Sequence, residues 1–236
     1  MNRAVITRID RCKYADTEAI NTICSNLLFM GKENKKILIT SCTAGEGKSY
    51  VSMQIVQNLA KRNKRVVLVD TDFRRSKLIN KYGVELGGKK NGLAHFLAGF
   101  CTMDDIVYET NLDGVYLVPI GKSVVNPIPL FDGKHLSVFL NKLSEYFDYV
   151  IVDAPPIGLV VDAAEVAPCC DGAVFVVKYN STRRQDLIAA KRQIQLSGCA
   201  ILGCIINLVN FNTIGAKKYY GKKYYTEYYS SRSVRR

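Results

Sequence analysis

Long apolar runs are missing from this 236-residue chain. No stretch reaches the roughly 18 uninterrupted hydrophobic residues of a membrane span, so no transmembrane helix is expected. Histidine is scarce. His95 and His135 are the only two, each in a helical stretch without a recognisable Asp, Ser or Cys partner, which argues against histidine-based catalysis. The eight cysteines form no Cys-x-x-Cys pair. Neither a zinc site nor a disulfide framework is expected, and buried thiols in a reducing cytosol are the simplest account. The opening residues Met1-Asn2-Arg3-Ala4-Val5 carry neither a signal-peptide core nor a lipidation motif. Acids are in deficit, 21 against 33 Lys and Arg, for a net charge of +12. Such a balance ordinarily raises nucleic acid or an anionic membrane surface as a partner. Much of the surplus is local, however: Lys217, Lys218, Lys222, Lys223, Arg232, Arg235 and Arg236 stand against the single acid Glu227.

What is present is organised around Ser41-Cys42-Thr43-Ala44-Gly45-Glu46-Gly47-Lys48-Ser49. The apolar run Ile37-Leu38-Ile39 precedes it and a helical pattern from Tyr50 to about Lys61 follows. Strand, glycine turn and helix start are the context of a phosphate-binding P-loop. Glycines let backbone N–H groups and the positive helix end approach the phosphates. Lys48 can reach the β- and γ-phosphates, and the Ser49 hydroxyl can complete Mg²⁺ coordination. Nucleotide contacts are therefore expected from Ala44, Gly45, Glu46, Gly47, Lys48, Ser49 and Tyr50. Cys42 stands where the usual motif opens with Gly, which leaves that chemistry intact.

The length suits one α/β domain. A helix is expected over about 16–30, with Asp16 or Thr17 as N-cap and Ala19, Ile20, Ile23, Leu27 and Met30 at helical spacing. Asn34-Lys35-Lys36 then turns the chain into what reads as the first strand. Arg65 to Val69 is an apolar run of the kind expected for a strand covered on both faces, and it ends in Asp70-Thr71-Asp72-Phe73-Arg74-Arg75. Acids there lie at the carboxyl edge where α/β sheets bind ligands, and could hold or order Mg²⁺ and accept a proton. Between Leu78 and Leu112 the pattern loosens, with a loop at Gly87–Gly92 and a short helix Leu93–Leu97. A strand over Val115–Pro119, an extended Val124–Pro129 and a helix from His135 to Tyr146 follow. Phe147 to Asp153 reads as a Walker B strand whose terminal Asp153 binds Mg²⁺ directly or through water, stopped by Pro155 and Pro156. Further strands are expected at Ala173–Val177 and Cys204–Leu208, with a helix Arg184–Leu196 between them. Asn207 either faces a nucleotide base or is a turn residue.

The last twenty residues crowd Tyr219, Tyr220, Tyr224, Tyr225, Tyr228 and Tyr229 among lysines, without aliphatic periodicity. A low-complexity tail is expected. Alone it could stack single-stranded nucleic acid or lie on a membrane; beside an ATP site it reads as a bank of phosphate acceptors. From about Asp16 onward, the chain resembles the bacterial tyrosine kinases of the capsule and exopolysaccharide co-polymerase type. The resemblance rests on Ala44–Ser49, on Val67–Arg75, on the Walker B segment ending Asp153-Ala154-Pro155-Pro156, on Asn126-Pro127 and on the tyrosine cluster. It implies an α/β P-loop NTPase fold, a mostly parallel sheet with helices on both faces, over residues 1–215, and a basic tyrosine-rich tail at 216–236. It implies a Mg·ATP kinase that phosphorylates its own tail, usually on a neighbouring subunit, and regulates polysaccharide synthesis and export. Implied partners are a transmembrane adaptor that activates the enzyme at the inner face of the cell membrane, a cognate phosphatase and further copies of the chain in a homo-oligomer; nucleic acid is not expected.

Three features depart from the family. Ala44 and Ser76 replace frequent prolines, and Glu18, Asn21 and Cys24 occupy the Glu-x-x-Arg-x-x-Arg motif that docks subunits, so both arginines are missing. The expected roles are Asp70 as proton acceptor and Lys48 as electrostatic stabiliser, with Mg²⁺ on Ser49, Asp72 and Asp153; Asp70 and Asp72 could exchange. The rival is a partitioning or septum-positioning switch ATPase. That class shares the fold but carries a second lysine early in the P-loop, where Thr43 stands here, and lacks the tyrosines.

Overall fold

The computed structural model describes residues 2–9, 14–31, 33–131 and 134–210, without the side chains of 14 and 15. The tyrosine cluster expected to be phosphorylated lies outside the described residues. The elements are β1 (Asn2–Ile6), α1 (Tyr14–Phe29), β2 (Lys36–Ser41), α2 (Lys48–Lys61), β3 (Val66–Asp70), α3 (Leu78–Tyr82), β4 (Val84–Leu86), α4 (Leu93–Leu97), β5 (Tyr108–Thr110), β6 (Val115–Val118), α5 (Ile128–Phe131), α6 (His135–Tyr146), β7 (Tyr149–Asp153), α7 (Asp162–Val166), β8 (Gly172–Lys178), α8 (Arg184–Leu196) and β9 (Ile201–Asn207).

The strands form one nine-stranded sheet in the order β4-β1-β5-β6-β3-β7-β2-β8-β9. From β6 to β9 every pairing is parallel; β5 joins β6 antiparallel, and β4 joins β1 antiparallel. The central strands read as near-continuous apolar runs because both faces are covered. β3 and β7 are buried at every position. One core lies on each face: Phe139, Leu140 and Leu143 of α6 pack on one side, and Ile55, Val56 and Leu59 of α2 on the other.

β2 is not the first strand. Asn2–Ile6 forms β1, with Ala4 and Ile6 inward at 2% and 3% exposure. With β4 and β5 it widens the sheet where sequence reading expected only loosened pattern. These strands have five, three and three residues and mix polar with apolar side chains, so they lack the continuous apolar run that marks β3, β6 and β7. Val124–Pro129 is not extended throughout either, because α5 begins at Ile128. Pro129 sits in its first turn, where the missing N–H has no helical partner to lose.

Parallel strands and right-handed crossovers bring every strand-to-helix loop of the central sheet to one edge. That edge collects the P-loop after β2, Asp70 and Asp72 after β3, and Asp153 at the end of β7. The register pairs Asp70 directly with Asp153. Because β1 is part of the core, Ile6→Ala is expected to cost about 2–5 kcal/mol in urea unfolding, as buried aliphatic truncations do. A change below about 0.5 kcal/mol would mean that β1 is not a stable part of the sheet.

Candidate functional site

The P-loop is held open by two left-handed glycines, Gly45 at φ +81° and Gly47 at φ +90°. Only glycine adopts these values at no steric cost. Gly47 is also the N-cap of α2 and makes no side-chain cap bond, so the first turn of α2 presents its positive end to the loop. A Cβ on Gly47 would lie 2.2 Å from Asn207 Nδ2. Asn207, from the end of β9, donates to the Glu46 carbonyl at 2.9 Å, so it braces the loop backbone.

Glu46 is 2% exposed although Thr43, Ala44 and Gly45 before it are open to solvent. Its carboxylate accepts from Thr43 N at 2.7 Å, from Lys178 N at 3.2 Å and from the Thr182 hydroxyl. The side chain is thus a clamp between the loop and the segment after β8. What it can offer a phosphate is its main-chain N–H. On the other flank, a Cβ at Gly158 would meet the Cys42 carbonyl at 2.3 Å, which fixes the approach of the Asp153-to-Gly158 loop to the P-loop.

Lys48 reaches inward from α2 to two carboxylates, with a third, Asp70, close enough for its charge to be felt. Its Nζ lies 3.3 Å from Asp72 Oδ2 and 3.7 Å from Asp153 Oδ1, and donates to Ser49 Oγ at 3.4 Å. Burial works to lower its pKa, but Asp153, Asp72 and Asp70 outweigh that and the net direction is up, so it stays an ammonium. Asp153 is raised, mainly by burial. The Ser52 hydroxyl shares its one proton between the Lys48 carbonyl at 3.0 Å and Asp153 Oδ1 at 3.4 Å. Asp70 is 1% exposed, and burial followed by the Asp153 charge pushes its carboxyl up to about 7. Its Oδ1 accepts from Asp72 N at 3.1 Å and its Oδ2 from the Ser76 hydroxyl. Asp72 Oδ1 accepts from Arg75 N at 3.0 Å.

Lys48, Ser49, Asp70, Asp72 and Asp153 therefore converge as the sequence suggested. Tyr50 points elsewhere, its ring 4.9 Å from Lys81 Nζ. Sequence reading missed Ser52, although its spacing of four from Lys48 puts both on one face of α2. It also missed the role of Ser76, and the bidentate pair of Arg74 with the fully buried Asp162 at 2.7 and 3.0 Å. No local signal could link those two, 88 residues apart.

One lysine against three buried carboxylates leaves excess negative charge, which suits a divalent cation. Among the described residues no cluster of three or more metal-ligating side chains forms. Mg²⁺ does not need one, since it is usually held by one or two carboxylates together with substrate phosphates and water. The hydroxyl of Ser49 and the carboxylates of Asp72 and Asp153 fit that donor set. Seven cysteines fall among the described residues and all are free. No helix there is long and apolar enough to cross a membrane.

The AAA domain family model matches residues 34–169. The chain is 39% identical over 193 residues to the tyrosine-protein kinase CpsD of Streptococcus agalactiae, covering 82% of this chain and 83% of that one. Among solved structures, the BceF tyrosine kinase domain superposes with a TM-score of 0.74 at 26% identity, over 86% of this chain and 81% of the other. The septum site-determining protein MinD of Pyrococcus horikoshii, complexed with Mg-ADP, gives 0.60 at 25% identity over 72% and 68%.

The raised Asp70 carboxyl sets a pH signature. The native state holds this proton more tightly than the unfolded chain does, so Asp70 costs no stability below about pH 4 and its full penalty above about pH 7. Asp70→Asn removes the ionisation and keeps an acceptor for Asp72 N. Melted with a chelator and without nucleotide, the variant should exceed the parent at pH 8, by on the order of 4 kcal/mol at most. The gain should shrink steadily toward pH 4; a pH-independent difference would contradict the account.

Proposed function

The chain belongs to the bacterial tyrosine-protein kinases, and on that premise we propose that it transfers the γ-phosphoryl group of ATP to tyrosines of its own C-terminal segment. The observation that carries this reading is the meeting of Lys48 with Asp70, Asp72 and Asp153 at the mouth of a glycine-shaped phosphate loop. A phenol has a pKa near 10 and is a poor nucleophile at neutral pH, so it needs a base. A carboxylate poised near 7 meets the requirement for general base catalysis. Asp70 takes the phenolic proton as the tyrosine oxygen bonds to the γ-phosphorus and the bond to the ADP oxygen breaks. Lys48 exchanges its contacts with Asp72 and Asp153 for the phosphates and neutralises their charge. Ser49, Asp72 and Asp153 would hold Mg²⁺, which when bound would supply further charge neutralisation on the phosphates. The loop N–H groups from Ala44 to Ser49 orient the nucleotide, and Asn207 keeps them in place.

Regulation of capsule or exopolysaccharide synthesis and export is the role proposed for this activity. A transmembrane adaptor brings the enzyme to the inner membrane face, and a cognate phosphatase reverses the modification. Each tail phosphate adds about −1.5 to −2 charges at pH 7, enough to turn a basic segment acidic when several are placed. Association between copies would have to manage without the two family arginines. Cys24 faces the core at 0% exposure, its thiol toward the Ile55 carbonyl at 3.8 Å, and Asn21 is engaged by Asn58 at 2.8 Å.

Incubation with Mg·ATP and adaptor, followed by peptide mapping, should place phosphotyrosine among Tyr219, Tyr220, Tyr224, Tyr225, Tyr228 and Tyr229. Lys48→Met should abolish the signal, and Asp70→Asn should slow it by about 100-fold or more. Full activity in either variant would overturn the assignment.

A further inference from the structure

Beside Asp70, on the side away from the P-loop, the fold leaves a cleft of about 590 Å³ that no P-loop residue lines. Its size lies within the range of about 300–1000 Å³ typical of ligand pockets. Ile79 of α3, Val84 and Leu86 of β4, and Pro119 after β6 give it apolar walls, while Glu85 and Lys90 line it from exposed positions. Among the described residues neither Glu85 nor Lys90 forms an ion pair.

Its place follows from the register. β3 and β6 pair Val69 with Val118, so Pro119 stands one strand over from Asp70, a spacing of about 4.8 Å. On the same side, α3 starts two residues after Ser76, whose hydroxyl bonds Asp70. The P-loop strand β2 lies two strands away in the opposite direction. A segment crossing this boundary in extended form sends successive side chains to opposite sides, one to the cleft and the next toward Asp70.

The C-terminal segment has the matching pattern. Lys-Lys-Tyr-Tyr occurs twice, at 217–220 and 222–225, and a third pair follows at Tyr228-Tyr229. Its tyrosines come two at a time, with lysines ahead of the first two pairs. Reach is sufficient as well. β9 ends five strands from β6 and eight from β4, about 24 and 38 Å along the sheet. Eleven residues lie between Asn207 and Tyr219, roughly 40 Å at full extension, and the second tyrosine pair lies five residues further on.

We propose that this cleft is the docking subsite for the acceptor segment 217–229, with one ring of a tyrosine pair seated among Ile79, Val84, Leu86 and Pro119 while its neighbour's hydroxyl is presented to Asp70. The lysines ahead of the pair meet Glu85, and Lys90 donates to the hydroxyl of the seated ring, which a tyrosine oxygen requires when buried. The substrate class is thereby narrowed from tyrosine to paired tyrosine with a basic approach. The inference rests on the kinase reading for its purpose but can be tested without turnover.

The direct test uses the full chain with Tyr224 replaced by the photo-crosslinker p-benzoylphenylalanine, loaded with a non-hydrolysable ATP analogue. Crosslinks mapped by mass spectrometry should fall within residues 79–90 or 119–121. Isotope-labelled and unlabelled chains in mixture tell whether the segment comes from the same or a neighbouring copy; either supports docking in the cleft. Crosslinks confined to other surfaces would overturn it. A second measurement uses Glu85→Lys and Leu86→Glu, which lie outside the nucleotide machinery. Each should slow tail phosphorylation about tenfold with the KM for ATP unchanged, and Glu85→Asp should restore most of the rate. Parental rates in both charge variants would also overturn the proposal, whereas cleft crosslinks without phosphoryl transfer would support docking and count against the kinase reading alone.

Discussion

A buried ammonium facing more carboxylates than it can neutralise is the constraint on which this structure turns. Lys48 must be drawn out of water to meet Asp72 and Asp153, and those acids must be brought together at the ends of β3 and β7. Like charges at such spacing are costly in a protein interior. The fold carries that cost because a parallel sheet, covered on both faces, holds the strand ends rigidly. Burial, and after it the Asp153 charge, pushes the Asp70 carboxyl up to about 7, so protonation relieves part of the repulsion. A divalent cation would relieve the rest, so cation affinity and apo-state strain have one source.

The second requirement is that the phosphate loop keep its shape without a ligand. Glu46 does this by accepting from Thr43, Lys178 and Thr182, joining the loop to the far end of β8. Asn207 holds the Glu46 carbonyl from β9. Arg74 performs a comparable service on the other side, linking the segment after β3 to α7 through Asp162 and to the Val125 carbonyl at 2.8 Å. Each tie crosses between elements that the sequence separates widely. The nucleotide site is therefore preorganised by contacts that take no part in the chemistry.

Much of this was legible in the sequence, and the reason is physical. Lys48, Asp70, Asp72 and Asp153 each end or begin an element whose apolar pattern is strong, and the topology of parallel sheets sends such positions to one edge. β1, β4 and β5 were not legible, because short strands at the margin of a sheet that mix polar with apolar side chains carry too little pattern. Ser52 was within reach of helical spacing, whereas Asp162 was not, since nothing local marks it as the partner of Arg74. The inward turn of Cys24 likewise emerges only from the packing of α1 on α2. Glu46 was read as a phosphate contact by position in the motif, but its side chain serves the scaffold.

Kinase and switch ATPase share this architecture, and the superposition on MinD shows how closely. What separates them is the destination of one phosphoryl group. With γ-labelled ATP, Mg²⁺ and adaptor supplied, a quenched time course can follow label onto protein and into inorganic phosphate at once. The account predicts that label first leaves ATP as phosphotyrosine on residues 219–229, ahead of inorganic phosphate. Label appearing solely as inorganic phosphate, with those tyrosines unmodified throughout, would contradict it.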